Sequence, residues 1–146
     1  MREIETRYFG TVGIEEEKII HFPAGIPGFE EYKDYTIIYD IDSEEEPFFS
    51  WLQCVTEKGL AFPIVNPFRV AEDYNPTVED ALLEPLGVFE TEDLAVFLIA
   101  TVPGDVKKAS VNMKAPLLIN TKNRQAMQII VENEDYEIKH MLIAED

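Results

Sequence analysis

Asp40, Asp42 and Glu44, alternating in the stretch DIDSEEE, come nearer to a ligand set by type and spacing than any other residues in this sequence. Alternating carboxylates open a calcium loop of the EF-hand type, which also needs glycine at its sixth position and a bidentate glutamate at its twelfth. Glu45 and Trp51 stand there instead, and the flanks read as strands, so the run is read as a solvated acidic hairpin. The rest of the inventory is thinner. Three serines and two histidines, His21 and His140, supply no G-x-S-x-G nucleophile turn and no H-E-x-x-H zinc motif. GTVG (Gly10–Gly13) is too short for a phosphate loop and lacks its lysine. Cys54, the single cysteine, sits among apolar neighbours in FFSWLQCV and reads as a buried, inert thiol. With 29 Asp and Glu residues, carboxylate pairs arise anywhere and say nothing about acid–base chemistry. This inventory favours a binding module over an enzyme, with no catalytic residue, metal or cofactor expected.

The elements that would position such residues read as mainly all-β. Pro and Gly punctuate short apolar runs at regular intervals. EIETRYFG (Glu3–Gly10) alternates with Ile4, Thr6 and Tyr8 on one face. KIIHF (Lys18–Phe22), YTIIYDI (Tyr35–Ile41), FFSWLQCV (Phe48–Val55) and LAFPIV (Leu60–Val65) follow as strands rich in β-branched and aromatic residues. Pro63 cannot donate to a ladder, which suggests an edge position or a bulge. VEDALLEPLG (Val78–Gly87) predicts a short helix stopped near Pro85 and Gly87. LAVFLIATV (Leu94–Val102) is nearly continuous in apolar residues and predicts a central strand covered on both faces. After a PGD turn (Pro103–Asp105) come KASVNMK (Lys108–Lys114), PLLIN (Pro116–Asn120) and AMQIIVE (Ala126–Glu132), with TKNRQ as the tight turn between the last two. YEIKHMLI (Tyr136–Ile143) reads as a strand or a frayed tail. Eight or nine strands with at most one or two short helices predict a small antiparallel β-barrel or closed sandwich, in one domain spanning residues 1–146.

Composition bounds the partners. Twelve Lys and Arg against 29 Asp and Glu give a net charge of −17, which repels phosphate backbones and anionic membranes. Direct nucleic-acid binding and membrane association are therefore not expected, whereas a basic protein partner would be attracted. No apolar run approaches the roughly 18 residues of a membrane span, and MREIETRYFG carries no apolar signal core, so the cytoplasm is the expected location.

FPAGIPGFE (Phe22–Glu30) and VNMKAPLLIN (Val111–Asn120), in that order and at that separation, resemble the two most recognisable segments of the flagellar assembly factor FliW family. QAMQIIVEN resembles the family's terminal strand and NPFRVAEDY its mid-chain segment, so the likeness covers nearly the whole chain. The resemblance implies a small antiparallel barrel without enzymatic activity, expected as a monomer. It implies two protein partners: flagellin, bound through its C-terminal region, and CsrA, a dimeric RNA-binding repressor of translation. Free FliW would antagonise CsrA away from its RNA-binding surface, and cytoplasmic flagellin would sequester FliW and restore repression. Two other readings stay open: a general flagellin export chaperone without a regulatory role, and a β-barrel that encloses a small ligand.

The stretch HFPAGIPGFEEY (His21–Tyr32) then reads as scaffold. Two glycines can take positive φ, two prolines fix φ, and Phe22 and Phe29 are expected to anchor the connection in the core. Glu30 and Glu31 are candidates for a partner's edge. Asn112 and Asn120 are expected to satisfy backbone groups. Among the acidic clusters, Glu72 and Asp73 beside Tyr74 are the candidate docking residues for a basic partner, because hot spots join an aromatic anchor to charged neighbours. Five of the twelve basic residues fall between Lys107 and Arg124, so charge is uneven along the chain.

Overall fold

The computed structural model describes residues 2–38, 50–102 and 108–141. Eleven strands follow in order: β1 (Arg2–Glu5), β2 (Thr11–Ile14), β3 (Ile20–His21), β4 (Asp34–Ile38), β5 (Ser50–Cys54), β6 (Ala61–Val65), β7 (Leu94–Thr101), β8 (Ser110–Val111), β9 (Leu117–Asn120), β10 (Ala126–Gln128) and β11 (His140–Met141). Each expected apolar run yields a strand, and TVGI adds β2, a strand not expected from the sequence. The acidic hairpin with Asp40, Asp42 and Glu44, and the PGD turn, lie outside the described residues. Helical structure among the described residues is 3-10 only: Glu16–Lys18, Pro67–Arg69, Asp80–Leu86 and Thr91–Asp93. The third is the helix expected before Gly87, which ends it at φ 77°.

One antiparallel sheet runs β10-β9-β7-β6-β5-β4-β3, with β8 on β7 and β11 on β8, while β1 and β2 form a separate hairpin. The sheet curls until its ends meet. There the contact is a single isolated bridge between His21 and Gln125, and the His21 amide donates to the Arg124 carbonyl at 2.9 Å. The barrel expected from sequence is therefore joined at a seam rather than by a continuous ladder. Inside it, Ile20, Phe22, Tyr35, Leu52, Ile64 and Leu117 are fully buried, and the rings of Phe22 and Tyr35 meet edge-on at 5.3 Å. Burial pushes the Tyr35 phenol well above its ordinary pKa, with smaller contributions from Cys54 and Tyr32. Cys54 itself is fully buried.

β7 is central, as its unbroken apolar run predicts. Ala95, Phe97 and Ile99 face the barrel interior, while Leu94, Val96, Leu98 and Ala100 face two outer clusters built on Leu86, Ile129, Tyr74 and Met113. Alternation of side chains along a strand places a core on each side of it. Pro63 departs from expectation, because β6 lies between β5 and β7. The ladder to β7 begins only at Ile64, however, so at Pro63 the strand pairs with Trp51 alone and its missing N–H costs no bond on that side.

The β1–β2 hairpin is tied to the sheet through Gln53, which is 1% exposed. Its Oε1 accepts the Arg7 N–H at 3.0 Å, and its Nε2 lies 3.1 to 3.3 Å from the carbonyls of Cys54, Glu57, Lys58 and Leu60. Tyr8 adds a ring contact to Trp51 at 4.3 Å. Gln53→Leu keeps the volume and strands these buried groups, so it is expected to cost about 1–3 kcal/mol. Urea unfolding measures this directly, and a variant as stable as the parent would refute the role assigned to Gln53.

Candidate partner-binding surface

The connection between β3 and β4 is a hairpin loop closed on its own backbone. The Phe22 amide donates to the Lys33 carbonyl at 2.8 Å, Gly25 to Phe22 at 2.8 Å, Phe29 to Ile26 at 2.7 Å and Tyr32 to Phe29 at 3.0 Å. Gly25 and Gly28 take φ 72° and 90°, as two tight turns in so short a span demand. Phe22 and Ile26 enter the core, but Phe29 does not: it is 38% exposed and lies edge-on against Phe62 at 5.2 Å. One anchor of the expected pair is therefore surface. Glu30 and Glu31 are exposed. Hydrogen bonds from the loop's own backbone, first Glu30 and then Gly28, hold the Glu30 carboxyl below the usual range. A depressed acid stabilises the loop above its unfolded pKa and ceases to do so as pH falls through the folded value.

The tight backbone turns Pro27 outward between two clefts. One, of about 350 Å³, lies against Phe62, Ile99 and Ile138. The other, of about 520 Å³, lies against Leu82, Met127 and Ile130. Pro27, Asn112 and Gln128 line both, so the clefts form one surface with a polar waist. Ile130 and Ile138 are each 71% exposed, which is unusual for aliphatic side chains and leaves apolar area to be covered. At the waist the Asn112 Oδ1 accepts the amides of Lys114 and Ala115, both at 3.0 Å, and the Gln128 Nε2 donates to the Ala115 carbonyl at 3.0 Å. Their outer halves, the Asn112 amide nitrogen and the Gln128 amide oxygen, have no partner among the described residues. One donor and one acceptor between the two clefts match a peptide group whose side chains enter them.

Sequence reasoning missed this surface, although a signal was present. In AMQIIVE, Ile129 and Val131 are buried while Ile130, beyond the end of β10, is exposed, so the run carries an aliphatic side chain into solvent. The expectation for asparagines holds: Asn120 is fully buried, with its amide nitrogen donating to the carbonyls of Leu86 and Val88 at 2.8 and 3.2 Å.

The acidic candidate divides. Glu72 and Asp73 are exposed on the turn after the second 3-10 segment. Tyr74 is not an anchor for a partner: it is 4% exposed, its hydroxyl donates to the Met113 carbonyl at 2.8 Å, and its ring stacks on Tyr136 at 4.8 Å. Burial, with Tyr136 beside it, pushes the phenol well above its ordinary pKa. The exposed aromatic of this region is Phe68, at 55%. No hydrogen bond or ion pair among the described residues joins Glu72 and Asp73 to Glu30 and Glu31. Likewise, no group of three His, Cys, Asp or Glu side chains gathers there to hold a metal. His21 instead pairs with Asp34 at 2.7 Å.

Fold and surface together define a class: a small antiparallel β-domain that presents two joined clefts, one mainly apolar and one of mixed lining, and acidic turns. Residues 3–142 match the family model described as FliW protein. The chain is 45% identical to the flagellar assembly factor FliW of Lachnoclostridium phytofermentans, over 94% of this chain and 88% of that one. It is 40% identical to the protein of that name from Alkaliphilus metalliredigens, over 97% and 86% of the two chains. A crystal structure of the flagellar assembly factor FliW superposes with a TM-score of 0.88 at 32% identity, covering 99% of both chains. The chain belongs to the FliW family.

The loop that projects Pro27 allows a graded test. An added Cβ at Gly25 would stand 2.5 Å from the Glu30 Cα, whereas at Gly28 it meets nothing within 4 Å. Gly28→Ala should cost only the strain of a positive φ, about 1–2 kcal/mol. Gly25→Ala should cost distinctly more, because backbone must move. Equal losses in thermal unfolding would refute the close approach.

Proposed function

We propose that this protein is a non-enzymatic flagellar assembly factor that binds flagellin, antagonises the repressor CsrA, and so couples flagellin synthesis to its secretion. The observation that carries the reading is the joined apolar surface around Pro27, with Ile130 and Ile138 standing out from it. The C-terminal region of flagellin, as an amphipathic segment, would lay its apolar side chains into the two clefts and a backbone amide group against Asn112 and Gln128. An apolar surface of this kind is what a chaperone-like partner needs to keep such a segment soluble.

CsrA makes a different demand. A protein that grips RNA phosphates carries basic surface. A chain of net charge −17 attracts it from a distance, and exposed acids then set the docking position. Glu72 and Asp73 remain the proposed contact, now with Phe68 rather than Tyr74 as the neighbouring aromatic. Glu30 and Glu31 border the Pro27 surface and would meet the edge of whichever partner occupies it.

Two experiments separate these parts. Ile130→Asp and Ile138→Asp alter exposed side chains, so both variants should melt like the parent while binding to a flagellin C-terminal peptide falls about tenfold or more. Unchanged affinity in both, read by calorimetry, would move the flagellin site elsewhere. For CsrA, association should slow as salt rises, because charges are screened beyond about 8–10 Å. Glu72→Lys with Asp73→Lys should weaken binding further than Glu16→Lys with Glu17→Lys, which make the same change in net charge at another exposed turn. Equal losses from the two pairs would reduce the effect to net charge and remove the local site.

A further inference from the structure

At one end of the barrel the interior is open. A cavity of about 480 Å³ reaches down to Ile20, Ile37, Ala95, Phe97 and Ile119, all of which belong to or pack on the main core. This mouth shares no lining residue with the two clefts around Pro27. Barrel mouths are recurrent ligand sites when an apolar floor is combined with a few convergent polar groups.

The polar group here is Arg124. Its φ is 63°, the only positive value at a non-glycine among the described residues. Left-handed backbone at a large side chain is strained and persists where the surroundings fix it. The surroundings here are the seam: the Arg124 amide donates to the Asn120 carbonyl at 2.8 Å, and the Arg124 carbonyl accepts the His21 amide at 2.9 Å. The guanidinium is thereby held at the rim of the mouth. One terminal nitrogen donates to the Lys18 carbonyl at 3.1 Å, while Nε is buried and meets no acceptor among the described residues. Lys18 brings a second cation to the same rim, and Glu15 is the one carboxylate there. Neither cation is ion-paired to it. In a chain with 29 acids, an arginine whose donors face one backbone carbonyl and an apolar cavity has unused capacity for an anion.

We propose that the barrel mouth binds an aliphatic carboxylate, with the hydrocarbon on the floor of Ile20, Ile37, Phe97 and Ile119 and the carboxylate on Arg124, assisted by Lys18. The carboxylate can belong to a free medium-chain acid or to the C-terminal apolar residue of a polypeptide, and the chemistry of the site is the same for both. The site goes beyond the flagellar reading and stands or falls without it.

The test titrates the intact protein with octanoate and with octanamide, which has the same chain but no charge, and follows side-chain methyl and aromatic resonances. A short peptide ending in leucine, with a free or an amidated C-terminus, forms the second arm. Octanoate is expected to shift Ile20, Ile37, Phe97 and Ile119 and to bind about tenfold more tightly than octanamide, as expected of a charge-assisted contact. The free-acid peptide outcompeting octanoate would assign the site to a chain terminus, and the reverse would assign it to a small acid. Arg124→Gly suits the left-handed backbone, so this variant should fold at least as well as the parent and lose the preference for octanoate over octanamide. Equal binding of the two ligands, shifts confined to the surface around Pro27, or no shifts at millimolar ligand would each overturn the proposal.

Discussion

The two ends of the open sheet meet at one short seam, where the His21 amide donates to the Arg124 carbonyl and the Arg124 guanidinium to the Lys18 carbonyl. Every other pairing in the sheet is a local antiparallel ladder between neighbours in the strand order, and none of these ladders would bring β3 to β10. What makes the seam possible is the turn Thr121–Arg124. Asn120, buried behind it, accepts the Lys122 amide on its side-chain oxygen at 3.0 Å and donates to the Leu86 carbonyl. One asparagine thus shapes the turn and ties it to the 3-10 segment before Gly87. The left-handed Arg124 then turns its carbonyl toward β3. A strained residue at the seam is consistent with a sheet too short in register to close by a ladder of its own.

The same economy appears at the other recognisable motif. Asn112 caps the turn into Lys114 and Ala115 with its oxygen, and so lends its outward amide nitrogen to the surface beside Pro27. The loop from Phe22 to Tyr32 approaches that surface from the opposite side. Its glycines are there for geometry, and Pro27 is the residue it presents to the clefts. Scaffold and exposed surface are successive residues of one stretch, Gly25 to Gly28, rather than competing descriptions of it.

Much of this was legible in the sequence because it follows from period and local chemistry. The run Leu94–Val102 reads as a two-faced central strand, and β7 packs a core on each side. Gly25 and Gly28 sit where positive φ was expected, and Asn112 and Asn120 bind backbone. What failed depended on distant partners. Tyr74 follows two acids and looks exposed, yet Met113 and Tyr136, both far along the chain, draw it inside. Phe29 is as apolar as Phe22, but Phe62 receives it on the outer side of the loop. Pro63 excludes only one hydrogen bond, and a strand interior to the sheet can still be one-sided at a single residue. The apolar surface itself joins β10 to residues near 27, 82, 112 and 138, a set that no local window contains.

The seam also sets a schedule. Arg124 reaches back to the Lys18 carbonyl across 106 positions. On the ribosome, strands β3 to β7 are complete well before the turn that receives β3 has been made. Through most of synthesis β3 is therefore a bare edge, and the core residues Phe22 and Tyr35 lie beneath a wall with one side missing. Edges left open during vectorial synthesis are where chains associate wrongly.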